Sequence, residues 1–136
     1  MKQLFILAIV VICSANSYAQ KIEFEALEIN YGELLKGADG TRIFRFKNVG
    51  DAPLVINDVQ KTCGCTSPSF TNVPIMPGEK GEIQVKYDTQ RIGQFTKSLV
   101  VNSNSKEQET IQLKIYGTIK EETAPVPVKE GSLFTK

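Results

Sequence analysis

Residues 80–88 read KGEIQVKYD, in which apolar side chains recur at every second position. Ile83, Val85 and Tyr87 fall on one side of an extended chain, and the polar residues between them fall on the other. Successive side chains of a β-strand point to opposite faces, so the pattern predicts a strand with one buried and one solvated face. Antiparallel sheets that cover one side of a core are built from such strands.

The same period of two recurs along most of the chain after residue 20. Residues 94–102 and 110–120 show it most clearly, with Lys97 the charged member of the first inward set and Gly117 an interruption of the second. No stretch has a sustained helical period. About seven short strands separated by turns predict an all-β fold, a two-sheet antiparallel β-sandwich of roughly 100 residues. Its predicted core consists of Phe44, Phe46, Leu54, Ile56, Ile83, Val85, Phe95, Leu99, Leu113 and Ile115.

Asparagine, glycine and proline mark the connections between the strands. Asn48, Gly50 and Asp51 are interpreted as turn formers that make side-chain bonds to nearby backbone. Pro77 followed by Gly78 predicts a type II turn, because proline fixes φ at the first central position and glycine tolerates a positive φ at the second. We assign these residues to the loop framework and not to a ligand site.

The first 19 residues have the pattern of a signal peptide. Lys2 precedes an apolar run over residues 4–13, and the sequence Ser-Tyr-Ala over residues 17–19 offers a cleavage site with small residues at both ends. The apolar run is too short to cross a bilayer as a mature helix. We therefore expect export to the periplasm or beyond, cleavage after Ala19, and one domain over residues 20–120.

The last segment, residues 121–136, departs from the alternation. It contains Pro125 and Pro127, and proline cannot pair within a central strand. We interpret it as a flexible tail, with a docking peptide as the alternative.

Charge excludes two classes of partner. The chain has 16 basic and 15 acidic residues, and loss of the leader removes Lys2 and no acid, which leaves 15 of each. A balanced chain has no electrostatic footprint for nucleic acid or for an anionic membrane surface.

The sequence Cys63-Gly64-Cys65 is the one candidate for chemistry. The chain has no histidine, so the commonest catalytic base and metal ligand is missing. Of its three cysteines, Cys13 belongs to the leader, and the mature chain keeps this pair. Export favours oxidation of the pair, and a glycine between the two cysteines would ease the bend of so small a loop.

Four roles are open for the two cysteines. The first is a local disulfide, which closes a loop too short to add much global stability. The second is thiol redox chemistry, for which Lys61 would favour the thiolate. The third is copper(I) binding by Cys63, Cys65 and Met76, although two thiolates and a thioether are a weak set without histidine. The fourth is pairing with the cysteine of a partner.

Three motifs and a closing strand carry a family resemblance. The motifs are NVGDAPLVI at residues 48–56, CGCT at 63–66 and PIMPGE at 74–79, and the strand is LKIYG at 113–117. Their order resembles domain-of-unknown-function family 1573, an exported bacterial family, over residues 22–120. The resemblance implies an immunoglobulin-like sandwich related to domains of cilium- and centrosome-associated proteins and of the major sperm protein. It implies no established activity.

We therefore expect a non-enzymatic interaction or structural module of the bacterial envelope, without a cofactor or catalytic residues. It would bind an envelope protein through sheet edges or end loops, because open edges accept extended segments by main-chain hydrogen bonding. The alternative is a thiol redox or copper(I) carrier that acts through Cys63 and Cys65.

Overall fold

The computed structural model describes residues 18–123 of the chain. The predicted signal peptide, apart from Tyr18 and Ala19, and the predicted tail beyond Thr123 lie outside these residues. A helix with the length and apolar character of a membrane span is absent from residues 18–123. The described chain forms eight strands: β1 (Ile22–Phe24), β2 (Glu28–Leu35), β3 (Thr41–Asn48), β4 (Ile56–Lys61), β5 (Thr66–Ser69), β6 (Lys80–Tyr87), β7 (Gly93–Ser103) and β8 (Thr110–Lys120).

The strands form two four-stranded sheets, which confirms the predicted β-sandwich. The first sheet has the order β1-β3-β6-β5 and the second has the order β2-β8-β7-β4. One pair departs from the antiparallel prediction, because β2 runs parallel to β8. The chain passes from the first sheet to the second between β1 and β2 without reversing its direction. Strand β2 then lies beside β8, which runs in the same direction.

The core lies between the sheets and contains every predicted core residue. Each of the ten is at most 4% exposed, and Ile83 and Val85 are fully buried. The strand register read from residues 80–88 is therefore confirmed, because a shift by one residue would have turned that set to solvent. Gly117 interrupts the inward set of β8 for a packing reason: a Cβ atom there would lie 2.8 Å from the Cβ of Tyr31.

Aromatic side chains join the two sheets at one end of the sandwich. The rings of Tyr87 on β6 and Phe95 on β7 are stacked with centroids 3.7 Å apart, and Tyr31 on β2 meets Phe95 edge-on at 5.4 Å. The Arg42 guanidinium lies 4.5 Å from the centre of the Tyr31 ring. Burial raises the pKa of Tyr31 to about 12.

Ionisation of Tyr31 should destabilise the domain at high pH. Its pKa is about 12 in the folded chain and about 10 in an unfolded chain, so folding favours the neutral phenol. This contribution is complete below pH 10 and is lost as the pH rises through 12, by up to about 3 kcal/mol. We expect the free energy of unfolding in urea to fall over this range, and to fall less in Tyr31→Phe. An equal fall in both proteins would contradict the assignment.

Candidate functional site

The two cysteines lie in the connection that carries the chain from β4 in the second sheet to β5 in the first. The structure bonds the sulfur of Cys63 to that of Cys65, and their Cα atoms are 5.3 Å apart. In a strand that rises about 3.3 Å per residue, the same two atoms would be about 6.6 Å apart. The bridged pair therefore bends the chain out of the direction of β4, which ends at Lys61.

Packing and hydrogen bonds hold residues 62–65, the cysteine corner, against the core. Cys65 is 4% exposed and belongs to the core, whereas Cys63 is half-buried against it. The carbonyl oxygen of Cys65 accepts the backbone N–H of Asp88 at 2.9 Å, which ties the corner to the end of β6. The hydroxyl of Thr66, which is fully buried, lies 3.6 Å from the Cys63 sulfur. Burial shields the Cys65 sulfur from exchange partners.

Gly64 contributes less than the sequence predicted. Its backbone does not have a positive φ, and a Cβ atom added to it would meet no heavy atom within 4 Å. Sterics therefore do not require glycine at this position. The bridge and the Cys65 carbonyl hold the bend instead.

Met76 lies far from the cysteines, so the predicted copper(I) ligands are not brought together. Thr66, the residue after the pair, is opposite Tyr87 at one end of β6, whereas Met76 precedes the other end of that strand. Eight residues of strand separate the two ends by about 23 Å. The hypothesis of a site made by Cys63, Cys65 and Met76 is therefore wrong. Residues 18–123 also contain no group of three or more Cys, Asp or Glu side chains that could hold a metal ion.

Asn48 organises the opposite end of the sandwich. It is fully buried, and its side-chain oxygen accepts the Gly50 N–H at 3.0 Å, which confirms the predicted local turn. Its side-chain nitrogen donates to the carbonyls of Ala52 at 2.8 Å and of Ile75 at 2.9 Å. These two hydrogen bonds were not predicted, because nothing in the local sequence shows which segments the turn packs against.

The other predicted turn residues surround Asn48. A Cβ atom on Gly50 would collide with the carbonyl oxygen of Ala19, which accepts the Asp51 N–H at 2.9 Å. Pro77 and Gly78 occupy the central positions of a turn that a 3.0 Å backbone hydrogen bond closes. The φ of Gly78 is +83°, as the type II prediction requires. These residues form a framework at the far end of the molecule from the cysteines.

Beyond the cysteine corner, the outer side of β7 has no neighbouring strand among the described residues. Strand β4 pairs with the second half of β7, whereas residues 93–98 pair only with β8. The Thr62 hydroxyl donates to the Ser98 carbonyl at 3.0 Å, so this backbone group faces away from β8. Backbone groups of alternate residues face the same side of a strand, so those of Gln94 and Thr96 also face outward. Neither residue's outward N–H or C=O meets a hydrogen-bond partner within residues 18–123.

Two lysines lie beside this uncovered segment. Lys97 is half-buried on the core-facing side of β7 and is opposite Ile115. Lys61 is opposite Leu99 at the end of β4, so its side chain lies on the same face as Lys97. Neither lysine forms an ion pair with another residue of the described range. In the sequence, Lys97 is the single charged residue among the inward-facing residues of 94–102. The pattern marked it as an exception but assigned it no role.

Two open sheets in this order, with β2 crossing over to lie beside the last strand, define an immunoglobulin-like β-sandwich. Residues 22–119 match the model of DUF1573, described as a protein of unknown function, and the chain belongs to this family. The resemblance read from the motifs is thereby confirmed. None of the curated protein sequences matches this one.

Solved structures of the same fold come from distant proteins. A protein of unknown function from Porphyromonas gingivalis has a TM-score of 0.67 at 16% identity over 74% of this chain, which spans 47% of that protein. The human CEP192 PapD-like domain 7 has a TM-score of 0.64 at 10% identity, over 77% of this chain and 89% of that domain. The Acinetobacter baumannii CsuC–CsuE complex of a chaperone with a tip adhesion subunit gives 0.51 at 14% identity, over 74% and 57%. At these identities the likeness concerns the fold alone.

Loss of the bridge should weaken the corner without unfolding the domain. We expect replacement of both Cys63 and Cys65 by serine to lower the free energy of unfolding by no more than about 2 kcal/mol, because the closed loop is very short. Urea unfolding measures this, with Gly64→Ala as the matched control, for which we expect a change within about 0.5 kcal/mol. Failure of the double variant to fold would contradict a local role. Two free thiols in protein purified without reductant would refute the bridge.

Proposed function

We propose that the protein is a non-enzymatic interaction module of the bacterial envelope that binds an extended segment of another protein along an edge of its second sheet. One observation carries the proposal: this sheet has uncovered backbone donors and acceptors where β7 continues past the end of β4. A segment laid against such an edge gains a row of main-chain hydrogen bonds, and pockets between alternate side chains supply specificity. Each such bond contributes about 1 kcal/mol net.

The location in the envelope rests on the amino-terminal sequence. Residues 1–19 have the pattern of a cleaved export signal, and a bridge between Cys63 and Cys65 is stable in an oxidising compartment. The fold likeness to the CsuC–CsuE complex supports the same class of function, since that structure is described as a chaperone–subunit pre-assembly complex. We infer a protein partner on this basis.

Photo-crosslinking in cells tests the proposal. A photoreactive residue is placed at Glu33 on β2, at Gln60 on β4 or at Gln94 on β7, all of which are exposed beside an edge of the second sheet. The matched control is Gln84, an exposed residue on the outer face of the first sheet. We expect one crosslinked partner from at least one edge position and none from Gln84. A partner captured equally from Gln84, or recovered only from the cytoplasm, would contradict the proposal.

A further inference from the structure

We propose that residues 93–98 of β7 form the binding edge and that the ligand is an extended acidic segment of a protein partner. The inference rests on the proposed function, because it names the edge and the chemistry of the segment that the edge accepts. Its basis is the regularity of this edge and the charge beside it.

The other edges of the described sandwich are short or interrupted. Strand β1 has three residues, and β5 has four, including Pro68, which lacks an N–H. Short strands and prolines protect an edge from pairing. Strand β2 has a register shift between Asn30 and Glu33, with Gly32 at a φ of +65°, and β4 has one between Ile56 and Asp58. Bulges of this kind break the row of backbone groups that a partner strand would meet.

Residues 93–98, in contrast, keep one register with β8 throughout. The pairing runs without a shift from Gly93 opposite Ile119 to Ser98 opposite Lys114. The outward backbone groups of Gln94 and Thr96 therefore lie at regular strand spacing. They continue the line that β4 occupies further along β7, so an added segment would take up the position that β4 vacates after Lys61.

The positive charge beside this edge indicates that the bound segment is acidic. Lys61 and Lys97 are diagonal neighbours on the core-facing side of this edge, and such neighbours are about 7–8 Å apart. Neither has an ion-pair partner within residues 18–123. An acidic side chain on the inward face of an added strand would lie beside both lysines, where the attraction between opposite charges is favourable.

The same lysines argue against a second copy of this chain as the occupant. Pairing of two such edges would bring Lys61 and Lys97 of one copy beside those of the other. Like charges opposite one another destabilise a strand pair, and inward-pointing lysines are a known protection against edge-to-edge association. The two lysines therefore disfavour pairing with the same edge of a second copy and favour a segment of opposite charge.

A peptide titration of the full-length mature protein tests the inference. The probe is a capped octapeptide of alternating glutamate and valine, and its control replaces each glutamate by lysine. We expect saturable amide shifts in a ¹⁵N-labelled sample, centred on Gln94, Thr96 and Ser98, with the acidic peptide only. N-methylation of the peptide's alternate amides should abolish the shifts if main-chain hydrogen bonds hold it.

Two variants separate backbone pairing from charge. Thr96→Pro removes an outward N–H and no bond to β8, and we expect about fivefold weaker binding. Lys97→Glu should weaken binding of the acidic peptide roughly fivefold and create binding of the basic one. Lys86→Glu, an exposed lysine on the outer face of the first sheet, is the matched control and should change neither affinity. Thr96→Pro is interpreted only if its spectrum outside β7 is that of the folded protein.

Three outcomes of the NMR measurements would overturn the inference. The first is peptide shifts centred on β2 or β4, and the second is unchanged affinity in Lys97→Glu. The third is occupation of the edge without peptide, by a second copy, seen as concentration-dependent shifts, or by residues 124–136 of the same chain, seen as their contacts with β7. Crosslinking from Glu33 or Gln60 but not from Gln94 would refute this edge and leave the proposed function intact.

Discussion

The short connection from β4 in the second sheet to β5 in the first is the constraint on which the rest of the site depends. Only residues 62–65 separate β4 from β5, and packed sheets are about 10 Å apart. Four residues span at most about 14 Å, so the chain that crosses to the first sheet cannot also continue along β4, which ends at Lys61. The bridge between Cys63 and Cys65 fixes the bend, and the bond from Asp88 to the Cys65 carbonyl fixes where the chain arrives. The early end of β4 and the uncovered length of β7 are consequences of this crossing.

The two ends of the sandwich are built differently. At the end that contains Asn48, side-chain amides close the loops. The Asn48 side chain bonds to Gly50, Ala52 and Ile75, and Asn104 accepts the Val55 N–H and donates to the Pro53 carbonyl. Buried polar groups that are fully bonded make such an end rigid and specific. At the other end, stacked aromatic rings join the sheets, and the cysteine bridge lies within the connection between β4 and β5. This arrangement leaves a regular strand edge exposed on a rigid support.

Sequence reasoning succeeded where the physical signal is local. Alternation in residues 80–88 placed Ile83 and Val85 in the core, and the order of proline and glycine gave the turn at Gly78. It failed where a segment's neighbours decide the structure. Residues 22–31 predicted one or two strands, and their own sequence does not show that β2 lies parallel to β8 in the other sheet. Met76 and the cysteines are close in sequence but lie at opposite ends of β6, and Gly64 has open space that its sequence context did not reveal. The uncovered edge of β7 depends on where another strand ends, so Lys97 was visible in the sequence while its role was not.

Amide hydrogen exchange of the free, full-length mature protein tests the central claim most directly. Along residues 93–98 the amides should alternate, because Phe95 and Lys97 face β8 whereas Gln94 and Thr96 face the open side. The account predicts fast exchange at Gln94 and Thr96, and protection at Phe95 and Lys97 close to that of the core strands. Equal protection at all four amides would show that the edge is covered, and would contradict the account.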